Sequence, residues 1–348
     1  MNRCELLPST RYLGSKRKLL NALERVFSDI SFERAWDPFC GSGSVSYLLK
    51  CMGKEVHASD VLRWNATCTG ALLSSPDAGF IPALETVLRQ IPNEGTSPGF
   101  IENTFDGLFF TRDENRFIDQ YIAAVSGWPA ARKRAAYHAL FQAALAKRPY
   151  NLFHRANLYM RQRRVKRTFG NKTTWDTPFA VLLRRYATEL TRAWFAAERP
   201  IHVRQMDVDE VDFSEADLVY LDPPYMPQKG MGVDYLDYYH LLEGISLEDN
   251  DLWQQRILHR YRHMPLMGRG ESPWCRAAAV SAAFRRVIGK CGDAVVVISY
   301  RSDGIPAVDE LVGMLTDCGK QVTIVDLGKY TYALSRNTKS REVILVGQ

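Results

Sequence analysis

Apolar runs of membrane length are missing from the 348 residues. The longest strand-like run, Ala294 to Ile298, falls far short of the ~18 residues a spanning helix needs. Missing too is a basic flank followed by an apolar stretch in Met1–Thr10, so no signal peptide is expected. The seven cysteines are odd in number and form no C-x-x-C pair. That spacing supports neither a disulfide framework nor a zinc site, and it suits a reducing, cytoplasmic setting. No repeat or low-complexity tract interrupts the chain. Acidic residues are absent from Gln120 to Trp175, a segment holding twelve Lys or Arg. Because the whole chain carries a net +6, its other 292 residues carry a net −6. Nucleic-acid phosphate is the natural partner of such a segment, and a solvated basic face is the plainer reading.

What is present reads as globular. A hydrophobic share of 46% against 24% charged excludes wholesale disorder, and the length fits about two domains. The first 65 residues read as α/β: a helix over Lys18–Val26, a strand at Arg34–Trp36, a glycine turn at Phe39–Gly43, a helix over Val45–Met52 and a strand over Glu55–Ala58. Such a βαβ unit implies a parallel sheet. Pro, Gly and Ser mark residues 74–99 as a connection, and residues 113–198 read as helical, basic and aromatic. Ile201–Val203, Asp217–Leu221, Ala294–Tyr300, Gln321–Val325 and Glu342–Val346 resemble buried strands. The expected organisation is an α/β domain in two parts, 1–70 and 200–348, split by a basic helical insertion, 71–199. Residues 226–274 are expected to form a loop-rich lid or groove wall.

Three motifs carry chemistry: a glycine turn after an acid, an acid after the second strand, and a proline turn. In Asp37-Pro38-Phe39-Cys40-Gly41-Ser42-Gly43-Ser44-Val45 a strand ends on an acid, turns on glycines and opens a helix. Glycines there allow backbone angles closed to other residues and close approach of a ligand, and the helix start offers unpaired N–H groups. Only G-x-G of the dinucleotide fingerprint is present, and a structural turn explains it equally well. Asp37 would repel a phosphate and suits a ligand bearing an ammonium. Asp60, after the second strand, is placed either to accept ribose hydroxyls or to cap a helix. Most specific is Val219-Tyr220-Leu221-Asp222-Pro223-Pro224-Tyr225. At roughly 5% usage per residue type, a given tetrapeptide arises by chance in about one such chain in several hundred. The two prolines stiffen the turn. Asp222 and the Pro223 carbonyl then offer two acceptors for an exocyclic amine, with Tyr225 as a stacking face.

With these residues the chain resembles the Dam-like adenine-N6 DNA methyltransferases, which use S-adenosylmethionine. Arg11-Tyr12-Leu13-Gly14-Ser15-Lys16 is similar to their N-terminal Tyr-x-Gly-x-Lys motif. Asp37–Val45 is similar to their Asp-x-Phe-x-Gly-x-Gly loop, and Asp222–Tyr225 is their Asp-Pro-Pro-Tyr motif. The resemblance implies a Rossmann-like, seven-stranded, mostly parallel sheet with one antiparallel strand and an inserted recognition region. It also implies cofactor roles for Tyr12, Lys16, Asp37, Phe39, Gly41, Gly43, Asp60 and Asp207, and catalytic roles for Asp222, Pro223, Pro224 and Tyr225. Asp234-Tyr235 and Tyr238-Tyr239-His240 resemble a segment that follows the catalytic motif in some members.

The implied reaction moves a methyl group to the amine of a flipped adenine, needing neither metal nor covalent intermediate. No cysteine here follows a proline, which sets aside methylation at cytosine carbon. Double-stranded DNA is the expected partner, in a restriction-modification or phage-defence setting with a partner protein encoded nearby. The candidate DNA-binding residues are Arg148, Asn151, Arg155, Arg161, Arg163, Arg164, Lys166 and Lys172. Within the Lys147–Lys172 strip Tyr150, Phe153, Tyr159 and Phe169 are interleaved, and Asn157, Gln162 and Asn171 can read bases. An RNA adenine methyltransferase and a silent DNA-binding paralogue are the alternative readings.

Overall fold

A computed structural model describes residues 3–91, 97–163, 172–228, 232–329 and 340–348. The chain forms two compact units, each assembled from three separate segments. One takes residues 12–69, 197–235 and 268–348. Its seven strands are β1 (Arg34–Asp37), β2 (Glu55–Asp60), β3 (Ile201–Gln205), β4 (Leu218–Leu221), β5 (Val295–Arg301), β6 (Val322–Lys329) and β7 (Arg341–Gly347). They lie in the order β3-β2-β1-β4-β5-β7-β6. Every pairing from β3 to β5 is parallel, and β7 runs antiparallel to both β5 and β6.

Central strands read as apolar text because both faces are covered. All four residues of β4 are buried, as are six of seven in β5 and in β7. The core on one side gathers Trp36, Val219, Phe284, Val296, Ile298 and Leu345. On β1, β2 and β3 the in-register residues Trp36, His57 and His202 stack, with ring centroids 3.9 and 4.6 Å apart. Glu55 Oε1 accepts from His57 Nε2 at 2.8 Å, and the ligand-type atoms of Glu55, His57 and His202 lie within 4.8 Å of one another. The strand order reverses at β1 and β4, so their carboxyl ends, Asp37 and Asp222, flank the crevice where open α/β sheets take ligands.

The other unit takes residues 1–11, 70–196 and 236–267. Its centre is the helix Ala130–Ala146, buried on all sides over its last twelve residues. The helices Arg112–Val125 and Phe179–Ala193 pack against it. Three details differ from the sequence expectation. Residues 74–99 hold a helix, Phe80–Gln90, burying Phe80, Leu84 and Val87; Pro82 sits in its first turn, where no backbone N–H bond is lost. Residues 226–274 hold the helices Tyr235–Ser246 and Asn250–Arg256, and residues 236–267 belong to the helical unit. The amino terminus belongs there too: the Ser9 N–H donates to Glu189 (3.2 Å) and the Arg11 N–H to Gln142 (3.4 Å).

Candidate active site

The turn after β1 is built on left-handed backbone. Gly41 and Gly43 have φ of +48° and +73°, and a Cβ on Gly41 would lie 3.0 Å from the Tyr12 ring. This close approach seats Tyr12 on the loop, with Trp64 and Tyr235 at 5.7 and 5.5 Å from its centroid. Gly43 leads into the helix Ser44–Cys51. Asp37 is buried, and Ser46 of that helix donates to its Oδ2 at 2.6 Å. Its Oδ1 has no partner among the described residues. Burial, above all, lifts the Asp37 carboxyl to about 7 despite the Ser46 bond, and the charges of Asp222 and Asp60 add to the lift.

Asp60, ending β2, ties this loop down. It accepts from the N–H groups of Gly41 (3.0 Å) and Leu62 (2.9 Å) and from Asn65 Nδ2 (3.0 Å). Burial raises it to about 6 against those three bonds. A carboxylate has about four acceptor positions, so one remains for a ligand. Asn65 also reaches the Tyr12 hydroxyl at 3.4 Å. Ser46 and Asn65 escaped the sequence reading; each is a polar residue on an otherwise buried helix face, which is the signal they carry. Phe39 packs edge-on against Trp274 at 4.9 Å. Asp207 is exposed and caps the turn Val208–Glu210, accepting from the Asp209 N–H at 3.0 Å, while the Met206 N–H donates to the Asp60 carbonyl.

At the end of β4 the Lys16 ammonium lies 2.8 Å from Asp222 Oδ1 and 3.7 Å from Glu342 Oε1, and 4.5 Å from the Tyr225 ring centroid. The Tyr225 hydroxyl donates to Glu342 at 2.9 Å. Burial raises Asp222 to about 6; Lys16 opposes that rise and Glu342 adds to it. Directly after Tyr225, Met226 and Pro227 pair antiparallel with Ile305 and Gly304, fixing the exit from the two prolines. The structure thus brings Lys16, Asp222 and Tyr225 together and adds Glu342. That residue was missed because it opens the apolar run Val343–Val346 and carries no motif of its own.

The basic strip divides into buried and exposed members. Arg148 is 1% exposed. Its guanidinium donates to the carbonyls of Leu152 (3.1 Å), Phe109 (3.0 Å) and Arg155 (2.8 Å) and to Asn157 Oδ1, over the rings of Phe109 and Phe153. Burial lowers it to about 9. Arg161 is buried and forks onto Glu114 at 2.9 and 2.6 Å, and Lys147 reaches the same carboxylate at 2.8 Å. Arg148, Arg161, Lys147, Asn157 and Phe153 are therefore internal to the fold: their side chains are buried, and the charged groups of the three cations are bonded inside it. His240 is likewise internal: it donates to the Phe153 carbonyl at 3.2 Å, and burial pushes it down to about 3. Exposed are Tyr150, Arg155, Tyr159, Gln162, Arg163 and Lys172, the last paired with Asp176. Tyr150 and Asn151 hold φ of +61° and +59°, rare for such residues, on the loop Arg148 clamps. Arg164, Lys166, Phe169 and Asn171 lie outside the described residues.

An open sheet with one antiparallel strand, acids at the ends of β1, β2 and β4, and an Asp-Pro-Pro-Tyr turn at the switch point define a Rossmann-like methyltransferase. Residues 12–264 match the family model described as D12 class N6 adenine-specific DNA methyltransferase, and the chain belongs to that family. It is 24% identical to the type II methyltransferase M2.HphI of Haemophilus parahaemolyticus, across 97% of this chain and 96% of that one. Against the type II methyltransferase M.CviAII of Paramecium bursaria Chlorella virus 1 the identity is 22% over 90% of each chain. A shorter match, 31% over 104 residues, covers 14% of the type II methyltransferase M.FokI of Planomicrobium okeanokoites. The chain is an enzyme that methylates adenine N6 in DNA; the RNA and silent-paralogue readings give way to this. Among the described residues no helix is long and apolar enough to cross a membrane.

Proposed function

We propose that the sheet unit binds S-adenosylmethionine at the ends of β1 and β2 and that Asp222, Pro223, Pro224 and Tyr225 hold the target adenine. The observation that carries this is the Asp37 carboxylate, buried beside the glycine turn with one oxygen bare. A bare buried acceptor suits the ammonium of the methionine part. Tyr12, Phe39 and the Gly41–Gly43 turn would flank that part, Lys16 would sit at its reacting end, Asp60 would take a ribose hydroxyl and Asp207 would face the adenine ring. When bound, the cofactor supplies an electrophilic methyl on a sulfonium.

The amine of adenine is a poor nucleophile because its lone pair is spread into the ring. Asp222 and the Pro223 carbonyl accept its two hydrogens, which bends the nitrogen towards a tetrahedral shape and frees the pair. Tyr225 holds the ring plane by stacking, so the residues act mainly by alignment. Asp222, raised to about 6, is also a suitable acceptor for the proton released as the N–C bond forms. Within duplex DNA the base must leave the stack, at about a few kcal/mol. Exposed Arg155, Arg163 and Lys172, with Arg164 and Lys166, would hold phosphates, and Asn151 would face bases. The names of the relatives favour a type II restriction partner.

A transfer assay with tritiated methyl donor on mixed duplex DNA, followed by nucleoside mass spectrometry, tests the reading. N6-methyladenine is expected, with Asp222→Ala and Tyr225→Ala reducing transfer at least ~100-fold while DNA binding persists. Near-normal turnover by either variant would overturn the assigned roles.

A further inference from the structure

Glu342 stands second in β7, paired in register with Arg301 of β5, and is followed by Val343, Ile344, Leu345 and Val346. Its side chain is 1% exposed. Burying a carboxylate is costly unless it is bonded and paired, and packing alone would be met by an apolar residue like its neighbours. Tyr225 and Lys16, its partners here, stand at the catalytic end of the sheet. Oε1 takes the Tyr225 hydroxyl at 2.9 Å and lies 3.7 Å from Lys16 Nζ, while Lys16 bonds Asp222 at 2.8 Å and sits over the Tyr225 ring. The four groups are linked: moving Glu342 removes the Tyr225 hydroxyl's bond to it and unbalances the lysine between two carboxylates.

We propose that Glu342 is a positioning residue for methyl transfer, anchoring the Tyr225 hydroxyl and sharing Lys16 with Asp222 so that ring plane and carboxylate stay aimed at the adenine amine. This rests on the roles given above to Asp222 and Tyr225. Glu342 also sets the charge around Asp222, which faces Lys16, Tyr225, Asp37, Tyr220 and Glu342 itself. Lys16 lowers the Asp222 carboxyl, whereas the Glu342 charge raises it.

The test is the pH profile of kcat/KM for Glu342→Gln. The amide keeps shape and an acceptor for the tyrosine but removes the charge, so Lys16 turns wholly to Asp222. Expected are a fall in kcat of about 10- to 100-fold, a KM for DNA within twofold of the parent, and an acid limb displaced to lower pH. A merely structural glutamate would move neither the limb nor the ratio of kcat to KM. Tyr225→Phe deletes the hydrogen bond that the amide would keep, and it keeps the ring. It carries the test alone if Glu342→Gln does not fold, a kcat loss of at least fivefold being expected. Parent-like kcat with an unmoved acid limb overturns the proposal. If Asp222→Ala is inactive while Glu342→Gln is parent-like, only the positioning role falls; if Asp222→Ala is active, the underlying site assignment falls instead.

Discussion

In Asp37 the proposed ligand role works against stability in a single side chain. Its carboxyl stands at about 7 in the fold, far above the usual carboxylate range, because burial outweighs the hydrogen bonds from Ser46 and the Phe39 backbone. The sign follows from proton binding: between about pH 4 and 7 the folded state holds a proton that the unfolded state has lost, so stability falls as pH rises through this window. Above about 7 the charge is buried in full. Asp37→Asn removes it and places an amide where the bare Oδ1 stood. The variant is expected to be the more stable at pH 8 by roughly 1–3 kcal/mol, with that advantage gone by pH 4, and to lose methyl-donor binding. Thermal melts at the two pH values read the first part and equilibrium dialysis with labelled donor the second. An advantage equal at both pH values would sink the electrostatic account.

The loop from Arg148 to Asn157 makes the corresponding argument for an element. Arg148 satisfies three backbone carbonyls and Asn157, and so fixes the left-handed pair Tyr150–Asn151. Arg148→Met leaves those acceptors bare and should lower stability by about 2–4 kcal/mol. DNA affinity should fall with it while the slope of log affinity against log salt stays put, because no phosphate contact is lost. Arg155→Ala and Arg163→Ala should do the reverse, each reducing that slope by about 1 without moving the melting temperature. A shallower slope in Arg148→Met would return that residue to the phosphate-binding set. Nothing local in the sequence separates these arginines. Arg161 is claimed by Glu114, 47 positions upstream, and Arg148 by carbonyls that no composition reveals. Strands were legible for the opposite reason: β4, β5 and β7 are buried on both faces and must be written in apolar residues. The helix Phe80–Gln90 was hidden by Pro82, harmless in a first turn, and Glu342 was hidden because its partners Lys16 and Tyr225 lie more than a hundred positions away.

Across the whole molecule, charge is sorted by unit in a way the net +6 conceals. The twelve cations of residues 120–175 lie within the sequence span of the helical unit, whereas the sheet unit buries Asp37, Asp60 and Glu342 and half-buries Asp222, with the Lys16 ammonium beside Asp222 and Glu342. Burial holds Asp37 at about 7 and Asp60 and Asp222 at about 6, Asp222 despite the ammonium of Lys16. At the proposed cofactor site a cationic methyl donor would add positive charge beside them and lower their pKa, so binding should expel protons. Affinity is then expected to climb as pH rises from about 5 to 7 and to level off above, where the carboxylates are already ionised. Titration calorimetry at pH 6.5 in buffers of different ionisation enthalpy should show release of up to about one proton per S-adenosylmethionine bound, vanishing at pH 8.5. S-Adenosylhomocysteine keeps the ammonium but lacks the sulfonium charge, so it should release fewer protons and bind more weakly at low pH. Heats independent of buffer at pH 6.5 would show that these carboxylates are not the donor's counter-charge, and would move the cofactor pocket away from the ends of β1, β2 and β4.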